Sequence, residues 1–257
     1  MSLNIFALLG ACAIGLSLGL MGSGGSILTV PVLVYLLEQP EKVAIAGSLV
    51  IVGAIALLGS FPYISQKLVD WNTVWLFGIP GMIGTYAGAW ISAYLSGIMQ
   101  LTIFAGVMLL ASYFMLRPKR DIESESDHQR HTFKIVLDGV IVGVVTGVVG
   151  VGGGFLIVPA LVLLGGLTMR VAIATSLVII ALKSFSGFVK YLDVLDKTDL
   201  SLDWQVIGVM IVVGGIGSSL GNKLANRVPQ DKLKKMFGVF LIIMGIYILY
   251  KSVPQLM

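Results

Sequence analysis

One cysteine, two histidines and thirteen acidic residues are all that 257 positions offer of the groups that usually carry redox, metal or acid–base chemistry. Cys12 has no second cysteine to pair with, which excludes an internal disulfide; a small apolar side chain packed between helices is expected, and the redox compartment stays open. His128 and His131 lie three residues apart in the most polar stretch of the chain. With no Cys and no third His near them they read as members of a solvated loop, so no metal and no cofactor are expected. Neither a zinc-peptidase pattern nor a phosphate-binding GxxxxGK(S/T) loop occurs. That argues against a membrane-embedded enzyme and against ATP-driven transport, and no catalytic residue is assigned. Charge is scarce as well: charged residues make up 12% of the chain, about half the share of a soluble domain.

Apolar side chains and glycine fill the space that charge leaves. Hydrophobic residues are 57% of the sequence, glycines number 32 and mean hydropathy is +0.98, so the chain is an integral membrane protein. Its apolar runs lack the dyad alternation of barrel strands and are rich in glycine, which predicts an all-α, polytopic fold. The opening "MSLNIFALLG" has no basic n-region and is expected to be retained as a membrane segment. Ten segments can be marked, at 3–20, 26–37, 43–60, 74–95 and 101–116, then at 135–150, 154–165, 171–189, 204–225 and 233–251. The linker "RPKRDIESESDHQRHTFK", Arg117 to Lys134, divides them into residues 1–116 and 135–257.

The two halves repeat one another. At a fixed offset of 128, Gly15, Gly19, Gly22, Gly24, Gly25, Val30 and Pro31 fall on Gly143, Gly147, Gly150, Gly152, Gly153, Val158 and Pro159, and "VAIAGSLVI" from Val43 falls on "VAIATSLVI" from Val171. After a short insertion near Asp196 the offset becomes 133, pairing Asp70-Trp71, Gly81, Gly84 and Gly88 with Asp203-Trp204, Gly214, Gly217 and Gly221. A constant offset over so many positions marks an internal duplication. Lys and Arg concentrate in the linker and in the loop from Lys223 to Lys235, which predicts that both are cytoplasmic and both termini outside. A repeat of five segments then makes the halves run in opposite senses across the bilayer. The net charge of +4 is accounted for by this topology, so no nucleic-acid partner is expected.

Segments 26–37 and 154–165 hold only about 12 residues, roughly 18 Å of helix, against about 30 Å of hydrocarbon. Each follows a dense glycine turn, "GSGGS" and "GVGGG". A broken helix leaves backbone N–H groups at its N-terminus, where partial positive charge favours an anion. Equivalent breaks in two inverted halves point to a transporter's substrate site. Ser23, Gly24, Gly25, Ser26, Gly152, Gly153 and Gly154 are therefore candidate substrate-binding residues, the alternative being that the glycines only let helices pack closely. Gly81, Gly84, Gly88, Gly214, Gly217 and Gly221, spaced by three and four, read as packing faces.

The doubled glycine turn, each followed by a short Pro-containing helix and an "A-x-(G/T)-S-L" stretch at Ala44–Leu49 and Ala172–Leu177, resembles the sulfite exporter TauE/SafE family. The resemblance covers essentially the whole chain, including the basic linker and the glycines before "NKLANRVP". It implies a multi-pass secondary transporter of a prokaryotic inner membrane, in a family associated with export of sulfite, sulfoacetate and related organic anions.

Independently of that resemblance, Lys183 stands inside the eighth apolar segment where the first half has Ile55. A charge at such depth is a functional candidate. Ser176 lies two helical turns earlier on nearly the same face, with Thr175 beside it and Ser48 at the equivalent place in the first half, and these complete the candidate set. The alternative is that Lys183 snorkels to the outer interface, Val189 being only six residues on. Asp138 is either a proton relay or an interfacial partner of Lys134. The leading expectation is a secondary transporter moving a small anion by alternating access between inverted repeats. The alternatives are a passive anion channel and an exporter of another small metabolite. Expected partners are the bilayer and the anion, with protons as a candidate coupling ion and a homodimer left open.

Overall fold

The computed structural model describes residues 5–116, 132–149, 154–197, 200–225 and 227–252. Among them every regular element is helical. In chain order we number them α1 (Ile5–Met21), α2 (Gly24–Leu36), α3 (Glu41–Ser65), α4 (Trp71–Ser92), α5 (Gly97–Leu116), α6 (Thr132–Val149), α7 (Gly154–Leu164), α8 (Met169–Asp196), α9 (Trp204–Ala225) and α10 (Gln230–Ser252). Six of these, α3, α4, α5, α8, α9 and α10, are long and apolar enough to cross a membrane.

Local sequence explains how the elements begin and bend. Asp70 caps α4 by accepting from the Asn72 and Thr73 N–H groups at 3.1 and 3.4 Å. Its repeat equivalent Asp203 caps α9 through Gln205 and Val206 at 3.0 and 3.1 Å. Within α2 and α7 the prolines Pro31 and Pro159 carry no N–H and crowd the carbonyl four residues back. The chain answers both times by widening into π-helical turns, Val32–Leu36 and Ala160–Leu164. The Leu37 and Gly165 N–H groups then reach the Val32 and Ala160 carbonyls at 3.0 and 2.9 Å. Helix α8 runs to Asp196, seven residues beyond the boundary expected at 189. Lys190 pairs with Asp193 at 2.7 Å one turn on, while Tyr191, Val194 and Leu195 are buried, so these polar residues decorate a continuing helix instead of ending it.

Packing interleaves the halves. Helix α1 lies along α9 and α6 along α4, and in both pairs glycine sets the separation. A methyl on Gly15 would fall on the Gly214 carbonyl and one on Gly19 on that of Ser218; on the other side, Gly84 and Gly88 press against the Val140 and Val144 carbonyls. Water-driven burial does not hold helices together in lipid, so such close backbone contact has to. Helices α3 and α8 cross at the centre in opposite directions, Leu49 lying by Gly187, Gly53 by Ser184, and Gly59 by Leu177. Exchanging the halves leaves these neighbours unchanged: α1–α9 becomes α6–α4, while α3–α8 and α5–α10 map onto themselves. Trp71, Trp90, Tyr94, Trp204 and Tyr250 are exposed at or near helix ends, as suits the membrane–water interface.

Candidate functional site

The first glycine turn has an explicit geometry. Gly22 leaves α1 at φ +72°, a left-handed conformation open to glycine at little cost, with its N–H on the Leu18 carbonyl at 2.7 Å. Ser23 then precedes α2 as its N-cap, but its hydroxyl does not cap. Gly24 and Gly25 turn their Cα faces to α1, where a methyl would sit 2.9 Å from the Ser17 carbonyl oxygen or 2.7 Å from that of Ile14. Close packing is thus what those two glycines serve directly. The opposite side of α2 meets the second half: a methyl on Gly154 would lie 2.9 Å from Ser26 Oγ, 3.2 Å from Ser23 Cβ and 2.7 Å from Ile180 Cδ1. Ser26 Oγ donates to the Ser23 carbonyl at 2.6 Å. Ser23 Oγ is fully buried at this junction and makes no hydrogen bond. Gly152 and Gly153 lie outside the described residues.

The remaining candidates divide around α8 and α3. Ser176 Oγ donates to the Ile173 carbonyl at 2.8 Å and reaches the Gly22 carbonyl at 3.3 Å, which ties it to the first turn. Thr175 Oγ1 accepts from the Asp70 N–H at 3.0 Å, a structural tie to the start of α4. Ser48 Oγ donates to the Ile45 carbonyl at 2.7 Å on the first-half equivalent of that helix. Ser23, Ser26, Ser48, Thr175 and Ser176 are all fully buried.

Lys183 is also fully buried and is the only charged side chain among the buried described residues. Its side chain is wholly enclosed and turned to α4, which does not suit a snorkelling lysine. Its side chain lies in the notch that Gly81 leaves in α4, with Nζ 4.8 Å from the centre of the Phe77 ring and no hydrogen-bond partner. On the other side of the molecule Ile55 fills the equivalent notch at Gly214. Lys183 therefore faces α4, and Ile180, one turn earlier on the same helix, touches the junction at Gly154. An ammonium without an acceptor in such surroundings is costly.

Sequence reading missed a buried network at the Lys42 end. Lys42 Nζ donates to the Ser92 carbonyl and to Gln100 Oε1 at 2.8 and 2.6 Å. Gln100 Nε2 donates to the Val148 carbonyl at 2.7 Å and to Tyr191 Oη at 2.8 Å, and Ser92 Oγ reaches Tyr191 Oη at 2.9 Å. The lone amide Gln100 inside an apolar run was the available signal. By the repeat offsets, the counterparts of Lys42, Ser92, Gln100 and Tyr191 are Arg170, Ala225, Leu233 and Tyr63. At that end Asn222 Nδ2 donates to the Gly59 carbonyl at 3.1 Å, while Asn222 Oδ1 and Ser218 Oγ are buried without a partner.

The profile of the sulfite exporter TauE/SafE family matches residues 7–248. A probable membrane transporter protein of Xylella fastidiosa (strain 9a5c) is 32% identical over 245 residues, covering 93% of this chain and 92% of its own. The probable membrane transporter protein YunE of Bacillus subtilis (strain 168) is 27% identical, covering 98% and 99%. The probable membrane transporter protein MJ0441 of Methanocaldococcus jannaschii is 25% identical, covering 92% and 93%. No solved structure matches. A family profile over nearly the whole chain, together with six helices able to span a bilayer, leads to one conclusion: this multi-pass membrane protein belongs to the sulfite exporter TauE/SafE family of membrane transporters.

Proposed function

We propose that the protein is a secondary transporter of a small oxyanion, such as sulfite or an organosulfonate, in the plasma membrane of a prokaryotic cell. The observation that carries this reading is Ser23: a fully buried hydroxyl without a partner, at the N-terminus of a broken helix, beside Ser26 and the Gly154 end of the equivalent helix. That arrangement offers an oxyanion an O–H donor and the N–H groups of a helix start, in surroundings where such bonds are strong. Alternating access draws support from the packing, which is unchanged when the halves are exchanged and runs equivalent helices α3 and α8 in opposite directions. The glycine-spaced pairs α1–α9 and α4–α6 are the stiff units, and the π-turns after Pro31 and Pro159 are where α2 and α7 yield. Gly154→Val tests the site. Its bulk meets Ser26, Ser23 and Ile180, so the variant should reach the membrane and lose binding of sulfite and sulfoacetate in a thermal-shift assay. Undiminished binding would remove the junction from the substrate path.

A further inference from the structure

Lys183 has features that oxyanion recognition alone does not require. Its notch at Gly81 is a packing position, since the repeat fills the same notch at Gly214 with Ile55. Replacing an isoleucine by a lysine there adds no contact that a hydrocarbon lacks, apart from the Phe77 ring face at 4.8 Å. That face attracts a cation less than complete dehydration repels one. Among the described residues no other charge is paired with it. Helix α4 contributes only Tyr86 among titratable groups and α7 contributes none; α3 has Glu41, Lys42 and Tyr63 only at its ends. On α8 itself Arg170, Lys190, Tyr191, Asp193 and Asp196 stand near the two ends. Helix α6 carries Lys134 and Asp138, and Asp138, half-buried, directly precedes Gly139, whose backbone packs against α4 beside Phe77.

Resting on the oxyanion reading above, we propose that Lys183 carries the coupling proton: its amine takes up one proton as the anion enters and gives it up as the anion leaves, so that one proton travels with each anion. Charge balances at each end of the cycle. A neutral amine, a proton and an anion become an ammonium–anion pair on loading, and the same three separate on release. Both the empty and the loaded protein then hold no uncompensated charge, which is the condition for a dry, occluded state to be crossed in either direction. Ile180 connects the two places, touching Gly154 at the junction and lying one turn from Lys183.

Calorimetric titration of the purified protein at about pH 8, in two buffers of different ionisation enthalpy, counts protons taken up per anion bound. Methanesulfonate and ethanesulfonate serve as probes because both are monoanions that stay fully ionised there. The expected result is close to one proton per anion for the wild type. Lys183→Ile, the residue the other half uses, should fold and take up none, with binding weakened at least tenfold. Lys183→Arg, whose guanidinium stays protonated, should bind without proton uptake. Anion binding by the wild type with no proton uptake would overturn the proposal and leave the oxyanion reading standing. Proton uptake that survives in Lys183→Ile and vanishes in Asp138→Asn would give the proton to Asp138, and also overturn it. Failure of the wild type to bind either probe would contradict the oxyanion reading, and the proposal with it.

Discussion

Two hydroxyls show how burial and bonding part company in this protein. Ser23 Oγ is buried and unbonded, so Ser23→Ala removes a group that the fold does not satisfy. Its melting temperature in detergent is expected to equal or exceed that of the wild type, while anion affinity falls by about 0.5–1.5 kcal/mol, the net worth of one hydrogen bond. A stability loss with unchanged affinity would make Ser23 a packing residue. Tyr191 is the opposite case, its Oη serving Ser92 and Gln100 at 2.9 and 2.8 Å, whereas Tyr63, its repeat equivalent, has a 3.5 Å approach to the Gly19 carbonyl. Tyr191→Phe should therefore cost about 1–2 kcal/mol and Tyr63→Phe well under that. Equal losses in chemical unfolding would mean that the Lys42 network adds nothing to stability.

At the scale of helices, glycine spacing predicts which positions tolerate bulk. Gly84→Leu and Gly217→Leu drive a side chain into Val140 on one side and into Cys12 and Leu16 on the other, and each should abolish a monodisperse peak in size-exclusion chromatography. Gly106→Ala and Gly208→Ala meet nothing within 4 Å and should stabilise their helices by about 0.5–1 kcal/mol. A normal elution profile for Gly84→Leu would show that the crossings are not held by backbone contact. The packing faces were legible beforehand because spacing of three and four is a one-dimensional signal, and the short helices were legible because length is. The role of Gly24 and Gly25 was not. A glycine turn that admits a ligand and one that admits a neighbouring helix have the same sequence, and only the direction of the missing Cβ, toward Ser17 and Ile14, separates them. The end of α8 was hidden for a different reason: Lys190, Asp193 and Asp196 look like a loop until Tyr191 and Val194 are seen to be buried between them. Lys183 stood out as a charge in an apolar run. That it fills the notch at Gly81 was recoverable only by combining both offsets, which pair it with Ile55 and Gly81 with Gly214.

For the whole molecule, the interleaving of α1 with α9 and α4 with α6 means that neither half presents a finished surface alone. On the alternating-access proposal, cross-half pairs are then expected to move and not the sequence halves as blocks. The basic residues of the linker and of the Lys223–Lys235 loop predict a cytoplasmic linker. In a Cys12→Ala background, Ser124→Cys should resist impermeant maleimide in intact cells and react after lysis; labelling from outside would reverse the assigned topology. Carriage of an oxyanion through the junction of α2 and α7 is read directly by counterflow in proteoliposomes. Vesicles preloaded with unlabelled sulfite and diluted into trace labelled sulfite should transiently accumulate label above equilibrium with the wild-type protein, and should fail to do so with Gly154→Val. Label that only equilibrates, or accumulation that survives Gly154→Val, would contradict it.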